Sequence, residues 1–205
     1  IDHYLSLFEG YNNEKTVGEV TPDYVYSKEA PGRIKNFNPN VKLIVILRHP
    51  VERLYSLYWI LRGKHKDMND ISFESLIARD PWIIEQGYYI DHIENYLKHF
   101  DREQLLILQF DELKNRPHGF LQKFFEFIDV DQNYAAPFAD VKINRGNFRK
   151  HYGKSRLFFF LWRIARKFRM NRMAYKLERL NSKDVEEMSV VTRQNLINIY
   201  EPYTK

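Results

Sequence analysis

The feature that most constrains the fold is an almost continuous apolar run, residues 41–47 (VKLIVIL), which is followed directly by a helix start. Such a run of β-branched residues and leucine is typical of a central strand that is buried on both faces. Pro50 suits the first turn of a helix, and Glu52 favours the positive end of its dipole. Leucine and tyrosine then recur at helical spacing as far as Gly63. The sequence therefore predicts a strand, a tight turn and a helix in direct succession.

The same alternation continues along the chain. We expect a second strand at 105–110 and helices at 72–78, 87–100, 118–128 and 185–200. A shorter strand is expected at 16–20, before the chain bends at Pro22. Alternating elements of this kind predict an α/β fold, in which helices flank a parallel β-sheet. A length of 205 residues with 44% hydrophobic residues predicts one globular domain over 1–205.

The positive charge is concentrated in one segment. Residues 142–179 hold thirteen Lys and Arg against one acid, Glu178, which gives this segment a charge of +12. The whole chain carries +5, so the remaining residues together carry −7. Such a segment favours an anionic partner, either a nucleotide phosphate, a polyanion or a membrane surface, with a solvated helix face as the alternative. We expect a long loop over 131–154 and a basic helical part over 155–205, which includes two basic helices before the last helix.

Several classes of protein are excluded or disfavoured by composition. The chain has no cysteine, which excludes disulfides, thiolate nucleophiles and cysteine-ligated metals, and fits a reducing compartment. No apolar run is long enough to span a bilayer. The first residue is Ile1 rather than Met, without a signal-peptide pattern, so the chain is expected to be N-terminally incomplete.

Arg48 lies where the predicted strand meets the predicted helix. A guanidinium at that point lies beside unpaired helical N–H groups and the positive end of the helix dipole, which together favour an anion. Ser56 follows eight residues later, about two turns along the helix, and would add a hydroxyl donor to a ligand that lies along it. An Arg48–Glu52 ion pair with Ser56 facing water is the alternative.

A strand, then Arg-x-Pro, then an aromatic-rich helix with a serine eight residues after Arg48 resembles a known motif. It is the 3′-phosphate-binding motif of sulfotransferases that use 3′-phosphoadenosine 5′-phosphosulfate (PAPS). Residues 18–24 (GEVTPDY) resemble the Glu-x-(Ser/Thr)-Pro-x-Tyr segment of that family. Residues 86–89 (QGYY) and 102–113 (REQLLILQFDEL) resemble its Gly-x-Tyr helix and a strand of the bacterial and glycan members. These motifs follow the order found in the family.

The resemblance implies a P-loop nucleotide-kinase-like sulfotransferase fold. It implies transfer of a sulfuryl group from PAPS to an acceptor hydroxyl or amine, with adenosine 3′,5′-bisphosphate as product and no metal. A glycan or another small hydroxyl compound is the expected acceptor, with carbohydrate first and a polyketide-derived or lipid hydroxyl as the alternative.

The resemblance also assigns roles to residues. Glu19 would be the general base, with an ordinary surface glutamate as the alternative. Arg48 and Ser56 would bind the 3′-phosphate. Tyr24 and Tyr88 would line the acceptor cleft, with core packing as the alternative for both.

A basic loop at 142–149 (KINRGNFR) resembles the family loop that closes over the nucleotide. Arg145, Gly146 and Arg149 are assigned there, since arginines supply bidentate charge and glycine lets backbone approach a phosphate. A purely structural loop is the alternative.

Two departures from the family pattern stand out. The loop that cradles the 5′-phosphosulfate would precede residue 1 and is not in this sequence. Val20 occupies a position at which carbohydrate-type relatives often have lysine, so another group would have to steady the sulfuryl oxygens.

The alternative to an enzyme is a protein of a different class. It would be a non-catalytic nucleotide-fold protein that binds an anionic membrane or polyanion through residues 142–180. Peripheral membrane contact is also compatible with an enzyme. A nucleic-acid partner is not expected, because there is no zinc pattern, aromatic RNA-binding signature or clear helix-turn-helix. The predicted location is cytoplasmic, with a Golgi lumenal enzyme that lacks its anchor as the alternative.

Overall fold

The structure is a computed structural model. It describes residues 2–132, 134, 160–161, 163–164, 173 and 186–204. The helices and strands are α1 (Asp2–Ser6), α2 (Ala30–Phe37), β1 (Leu43–Leu47), α3 (Pro50–Lys64), α4 (Phe73–Arg79), α5 (Trp82–Glu85), α6 (Tyr89–Leu97), β2 (Leu105–Gln109), α7 (Phe110–Asn115), α8 (Pro117–Phe127) and α9 (Val190–Tyr200). Short 3₁₀ turns lie at Pro22–Tyr26, Lys66–Asp70, Arg102–Gln104 and Glu201–Tyr203.

The chain divides into two compact units. Unit 1 comprises Ile1–Arg48 and Tyr89–Lys142, and unit 2 comprises His49–Tyr88 and Ile143–Lys205. The boundary after Arg48 therefore separates β1 from α3. The expectation of a single domain over 1–205 stays a prediction.

Unit 1 contains the parallel sheet. β1 and β2 pair in parallel, with Leu43 opposite Leu105 and Leu47 opposite Gln109. Parallel neighbours need a crossover connection between them, and here residues 48–104 supply it. The predicted α/β fold with a parallel sheet is confirmed.

One buried cluster of unit 1 lies on one face of this sheet, while Leu108 of β2 is buried on the other. Leu43 and Val45 of β1 share that face with their register partners Leu105 and Ile107. Leu105 forms a buried cluster with Tyr96 and Phe100, and the other three residues pack against it.

The prediction that β1 is buried on both faces is wrong. Residues 43–47 are only half-buried or exposed, and Ile46, on the opposite face from Leu43 and Val45, is 47% exposed. Among the described residues the sheet has two strands, so β1 has a neighbour on one side only. An apolar run indicates the capacity for burial, but the number of neighbouring elements decides how much burial occurs.

Unit 2 has a larger core, centred on α3. Its buried members include Val51, Leu54 and Tyr58 from α3, and α9 contributes Leu196 and Tyr200. The cluster also contains Trp59, Met68, Phe73, Leu76 and Ile83. α3 begins at Pro50, as predicted, and ends at Lys64, one residue past the predicted stop at Gly63.

Three other predicted helices are confirmed with shifted ends. α4 begins after Ser72, whose hydroxyl accepts a hydrogen bond from the Ser75 N–H at 3.1 Å. The predicted helix 87–100 is found as the shorter α6, and 118–128 is found as α8. Residues 2–6 and 30–37 are helical although the sequence pattern gave no indication of it.

The last helix begins later than predicted. α9 starts at Val190 rather than near residue 185, because the Ser189 hydroxyl caps it by accepting the N–H of Thr192.

The short strand predicted at 16–20 is also wrong. Those residues are exposed, and no other strand in the described part of the chain pairs with them. The Thr16 hydroxyl instead donates to the Ile128 carbonyl at 3.0 Å.

Two predicted features cannot be compared with the structure. Nearly all of the loop predicted at 131–154 and of the two basic helices predicted after it lies outside the described residues. Within the described ranges, no helix combines the length and apolar character needed to cross a membrane.

Candidate active site

Arg48 lies at the carboxyl end of β1, in unit 1. Its carbonyl accepts a hydrogen bond of 2.9 Å from the hydroxyl of Tyr89, which is the first residue of α6 and 8% exposed. Its guanidinium carbon lies 5.5 Å from the ring centroid of Phe110, which directly follows β2. Because β1 and β2 are parallel, their carboxyl ends meet at one edge of the sheet, where ligands of open α/β folds commonly bind. The arrangement places a half-buried, oriented cation at that edge.

Ser56 lies in α3, in unit 2, and is half-buried. The same helix carries Glu52, whose carboxylate forms an ion pair of 2.6 Å with Arg193. It also carries Arg53, which donates to the side-chain oxygen of Gln86 at 2.9 Å. Two of the charged side chains on the first turns of α3 therefore have partners within unit 2.

Glu19 is exposed and belongs to unit 1. Its carboxylate accepts a hydrogen bond of 3.2 Å from the Thr21 hydroxyl. Burial raises the pKa of the nearby Tyr4, and the negative charge of Glu19, the charge of Tyr24 in its ionised form and the hydrogen bond with the Glu19 carboxylate raise it further. An accessible carboxylate flanked by hydroxyl donors has the chemistry of a proton acceptor.

The residues after Glu19 form an open surface. Val20 is 91% exposed, and Tyr24 is also exposed. The Tyr24 carbonyl accepts a 2.9 Å hydrogen bond from Tyr96, which is buried in α6. Burial raises the pKa of Tyr96 to about 12, with a smaller contribution from Tyr24. Tyr24 is thus fixed through its backbone while its side chain stays accessible.

Tyr88 belongs to unit 2 and packs there. Its ring stacks on Tyr203, with centroids 3.9 Å apart and planes 15° apart, and meets the edge of Tyr200 at 6.1 Å. These contacts favour the core-packing alternative for Tyr88.

Gly87 occupies a position at which only a hydrogen fits. A β-carbon added there would lie 2.4 Å from Cε1 of Tyr200 and 3.1 Å from Cβ of Pro50. The glycine of the Gly-x-Tyr segment therefore allows the buried Tyr200 ring to approach the backbone.

Two residues of the site in unit 1 were not predicted: Tyr89, which holds the backbone of Arg48, and Phe110, which lies under its guanidinium. A signal for the first was present, since the tyrosine of Gly-x-Tyr after Gly87 is Tyr89 rather than Tyr88. No sequence signal identified Phe110, because its contact with Arg48 depends on strand pairing.

A cavity of about 400 Å³ lies in unit 2 and contains none of the predicted site residues. Aromatic side chains of α3 and four carboxylates form part of its lining, the carboxylates being those of Asp70, Glu74, Glu186 and Glu187. That charge is unsuitable for an anionic nucleotide. The predicted loop residues Arg145, Gly146 and Arg149 lie outside the described residues.

Comparison with known proteins gives consistent results. The family model described as "Sulfotransferase domain" matches residues 8–153. Mouse heparan sulfate glucosamine 3-O-sulfotransferase 3B1 is 36% identical over 121 residues, which is 55% of this chain and 30% of the mouse protein. Mouse bifunctional heparan sulfate N-deacetylase/N-sulfotransferase 3 is 30% identical over 149 residues, or 65% of this chain and 17% of that protein. The chain thus spans less than a third of these curated relatives.

A solved structure shares the fold. The sulfotransferase from Alicyclobacillus acidocaldarius superimposes with a TM-score of 0.68 at 21% identity, over 98% of this chain and 66% of that one.

Proposed function

Because the chain belongs to the sulfotransferase domain family, as the match over residues 8–153 shows, we propose that it transfers a sulfuryl group from PAPS to a hydroxyl or amine of a carbohydrate. In this reaction the acceptor oxygen or nitrogen forms a bond to sulfur while the bond between sulfur and the bridging phosphate oxygen breaks. Adenosine 3′,5′-bisphosphate leaves, and the acceptor proton passes to a base. The family match favours this enzyme over a non-catalytic membrane- or polyanion-binding protein.

The observation that carries the proposal is the position of Arg48. A guanidinium at the carboxyl end of a parallel strand, with its backbone held by Tyr89, is suited to bind a phosphate through paired N–H donors. We assign it the 3′-phosphate of the nucleotide. Ser56 is assigned to the same phosphate on the basis of the sequence motif alone.

Glu19 is the proposed general base. It is exposed, and its carboxylate has the Thr21 hydroxyl as a hydrogen-bond donor. Proton transfer to a positioned carboxylate contributes about 10²- to 10⁴-fold to the rate of such reactions.

The remaining assignments rest on sequence. The basic loop residues Arg145, Gly146 and Arg149 are proposed to contact the nucleotide. The exposed ring of Tyr24 is the proposed acceptor contact in unit 1. A carbohydrate acceptor is supported by the relatives, which are named as enzymes of heparan sulfate.

The proposal is tested with Glu19→Gln, which preserves the size of the side chain and removes its basicity. We expect turnover to fall about 10²-fold or more, while the affinity for adenosine 3′,5′-bisphosphate stays unchanged. Transfer of labelled sulfate from PAPS to a glucosamine-containing oligosaccharide measures turnover, and calorimetry measures the affinity for the nucleotide.

Glu9→Gln is the matched control, since Glu9 is also an exposed glutamate of unit 1. Equal turnover in Glu19→Gln and Glu9→Gln would show that Glu19 is not the base. Absence of any nucleotide binding by the unmodified chain would contradict the proposed function itself.

A further inference from the structure

We propose that Tyr89 and Phe110 are positioning residues that orient Arg48 for the 3′-phosphate, so that they set the preference of the protein for 3′-phosphorylated nucleotides. This inference rests on the proposed function, in which Arg48 binds that phosphate. It adds two residues that would act through Arg48 rather than by contact with the nucleotide. All three residues belong to unit 1.

Tyr89 acts on the backbone. Its hydroxyl donates to the Arg48 carbonyl at 2.9 Å, and only 8% of the residue is exposed. A hydrogen bond that is shielded from water holds its partners more firmly than an exposed one. Arg48 is the residue directly after β1, and this bond holds its carbonyl. The phenol therefore fixes the backbone at the point from which the arginine side chain leaves, and with it the direction of that side chain.

Phe110 acts on the side chain. Its ring lies under the guanidinium carbon at 5.5 Å, within the range of a cation–π contact. Such a contact uses the face of the ring, whereas the N–H donors of a guanidinium lie in its own plane and point outward. The arginine loses rotamer freedom without losing the donor geometry that suits a phosphate. Less entropy is then lost when the anion binds.

The fold supplies a closely matched control. Tyr96 lies in the same helix as Tyr89, is 6% exposed, and donates a hydrogen bond of the same 2.9 Å length to a backbone carbonyl. Its acceptor, however, belongs to Tyr24 rather than to Arg48. Replacing either phenol by phenylalanine removes one buried hydroxyl and one backbone hydrogen bond, and the residue that is held differs.

The experiment compares Tyr89→Phe with Tyr96→Phe in the full chain. Affinities for adenosine 3′,5′-bisphosphate and for adenosine 5′-phosphate are measured by calorimetry, and their ratio gives the 3′-phosphate preference. We expect Tyr89→Phe to lower that ratio about fivefold, the scale of one lost hydrogen bond. Tyr96→Phe should lower the melting temperature about as much as Tyr89→Phe does, and it should leave the ratio unchanged. A role in stability alone would not change the ratio in either variant.

Two further variants separate the possible outcomes. Phe110→Leu keeps an apolar side chain and removes the ring face, and it should lower the ratio about threefold. Arg48→Ala should abolish the preference, a loss of about a hundredfold. If Arg48→Ala leaves the ratio intact, the proposed phosphate site is wrong. If Arg48→Ala removes the preference while Tyr89→Phe and Phe110→Leu retain it, the positioning role is wrong and the phosphate site stands.

Discussion

The two compact units differ in the size of their buried hydrophobic clusters. Among the described residues, unit 2 has one cluster of ten buried side chains, to which α3 and α9 both contribute. In the described ranges of unit 1 the corresponding cluster has three buried members, and buried phenols of α6 hold the carbonyls of Tyr24 and Arg48. Packing is non-directional, whereas a hydrogen bond fixes one atom relative to another. Buried phenols of unit 2 also hold backbone carbonyls, those of Ile71 and Ile84, so the two units differ in the size of the packed cluster and share the use of directed bonds.

The largest expected effect tests how tightly unit 2 is packed. Gly87→Ala would place a methyl group 2.4 Å from the ring of Tyr200, which is 1% exposed. A buried aromatic ring has little space to yield, so we expect a loss of about 3 kcal/mol in the free energy of unfolding, the upper end of the usual range for overpacking. Urea denaturation measures this loss.

Unit 1 offers the control for that substitution. Gly119 lies inside α8, and no atom would come within 4 Å of an added β-carbon. Because alanine favours a helix over glycine, Gly119→Ala should stabilise the protein by about 0.5–1 kcal/mol. Equal losses in the two variants would remove the distinction between a tightly packed and an open glycine site.

A smaller effect should be common to both units and appear at alkaline pH. Burial raises the pKa of Tyr96 in unit 1 and of Tyr200 in unit 2 to about 12. At Tyr200 the positive charge of Arg53 opposes this rise in pKa. A tyrosine whose pKa is raised by folding contributes its full stability below the unfolded value of 10.0 and loses it as pH rises toward 12. Each residue should account for about 2 kcal/mol of that loss.

Urea denaturation at pH 8, 10 and 11 checks this expectation. Tyr96→Phe and Tyr200→Phe should each cost about 1 kcal/mol at pH 8, because each loses a hydrogen bond. Each should then lose less stability than the unmodified chain between pH 10 and 11. An unchanged pH dependence in either variant would mean that folding does not raise the pKa of this phenol.

The smallest effect concerns one exposed ion pair in each unit. Glu52 and Arg193 of unit 2 are 2.6 Å apart, and Lys15 and Asp129 of unit 1 are 3.0 Å apart. A double-mutant cycle with Glu52→Gln and Arg193→Gln should give a coupling of about 0.5 kcal/mol that weakens in high salt. A larger, salt-independent coupling would show that this pair is not governed by solvent screening.

The pair in unit 1 should respond to acid. The hydrogen bond and charge of Lys15 lower the pKa of Asp129 below its ordinary value of 3.8. A carboxyl whose pKa is lowered by folding contributes its stability above the unfolded value and loses it as pH falls through the folded value. The small difference between Lys15→Gln and the unmodified chain should therefore decrease as pH falls below 3.8.

The strand and helix around Arg48 could be predicted because their signals are local. The apolar run at 41–47, Pro50 and the helical spacing after it are contained in one short stretch, and the structure has β1 and α3 there. The position of Arg48 at the end of a parallel strand follows from the same stretch.

The features that the sequence did not reveal depend on residues far apart in the chain. Tyr89 reaches Arg48 across 41 residues, and Phe110 reaches it through the pairing of β1 with β2. The exposure of Ile46 likewise depends on which elements surround the sheet, and not on β1 itself. Local propensity says nothing about such contacts, because they are selected by tertiary packing.

The two phenols of α6 have a consequence for spacing. Tyr89 and Tyr96 are seven residues apart on one helix, which corresponds to about 10.5 Å along its axis. One of them anchors the turn that follows Glu19, and the other anchors the end of β1. The spacing of the two phenols along α6 therefore sets the distance between those two segments. Inserting one residue between the phenols would rotate one anchor by about 100° around the axis and release one of the two segments.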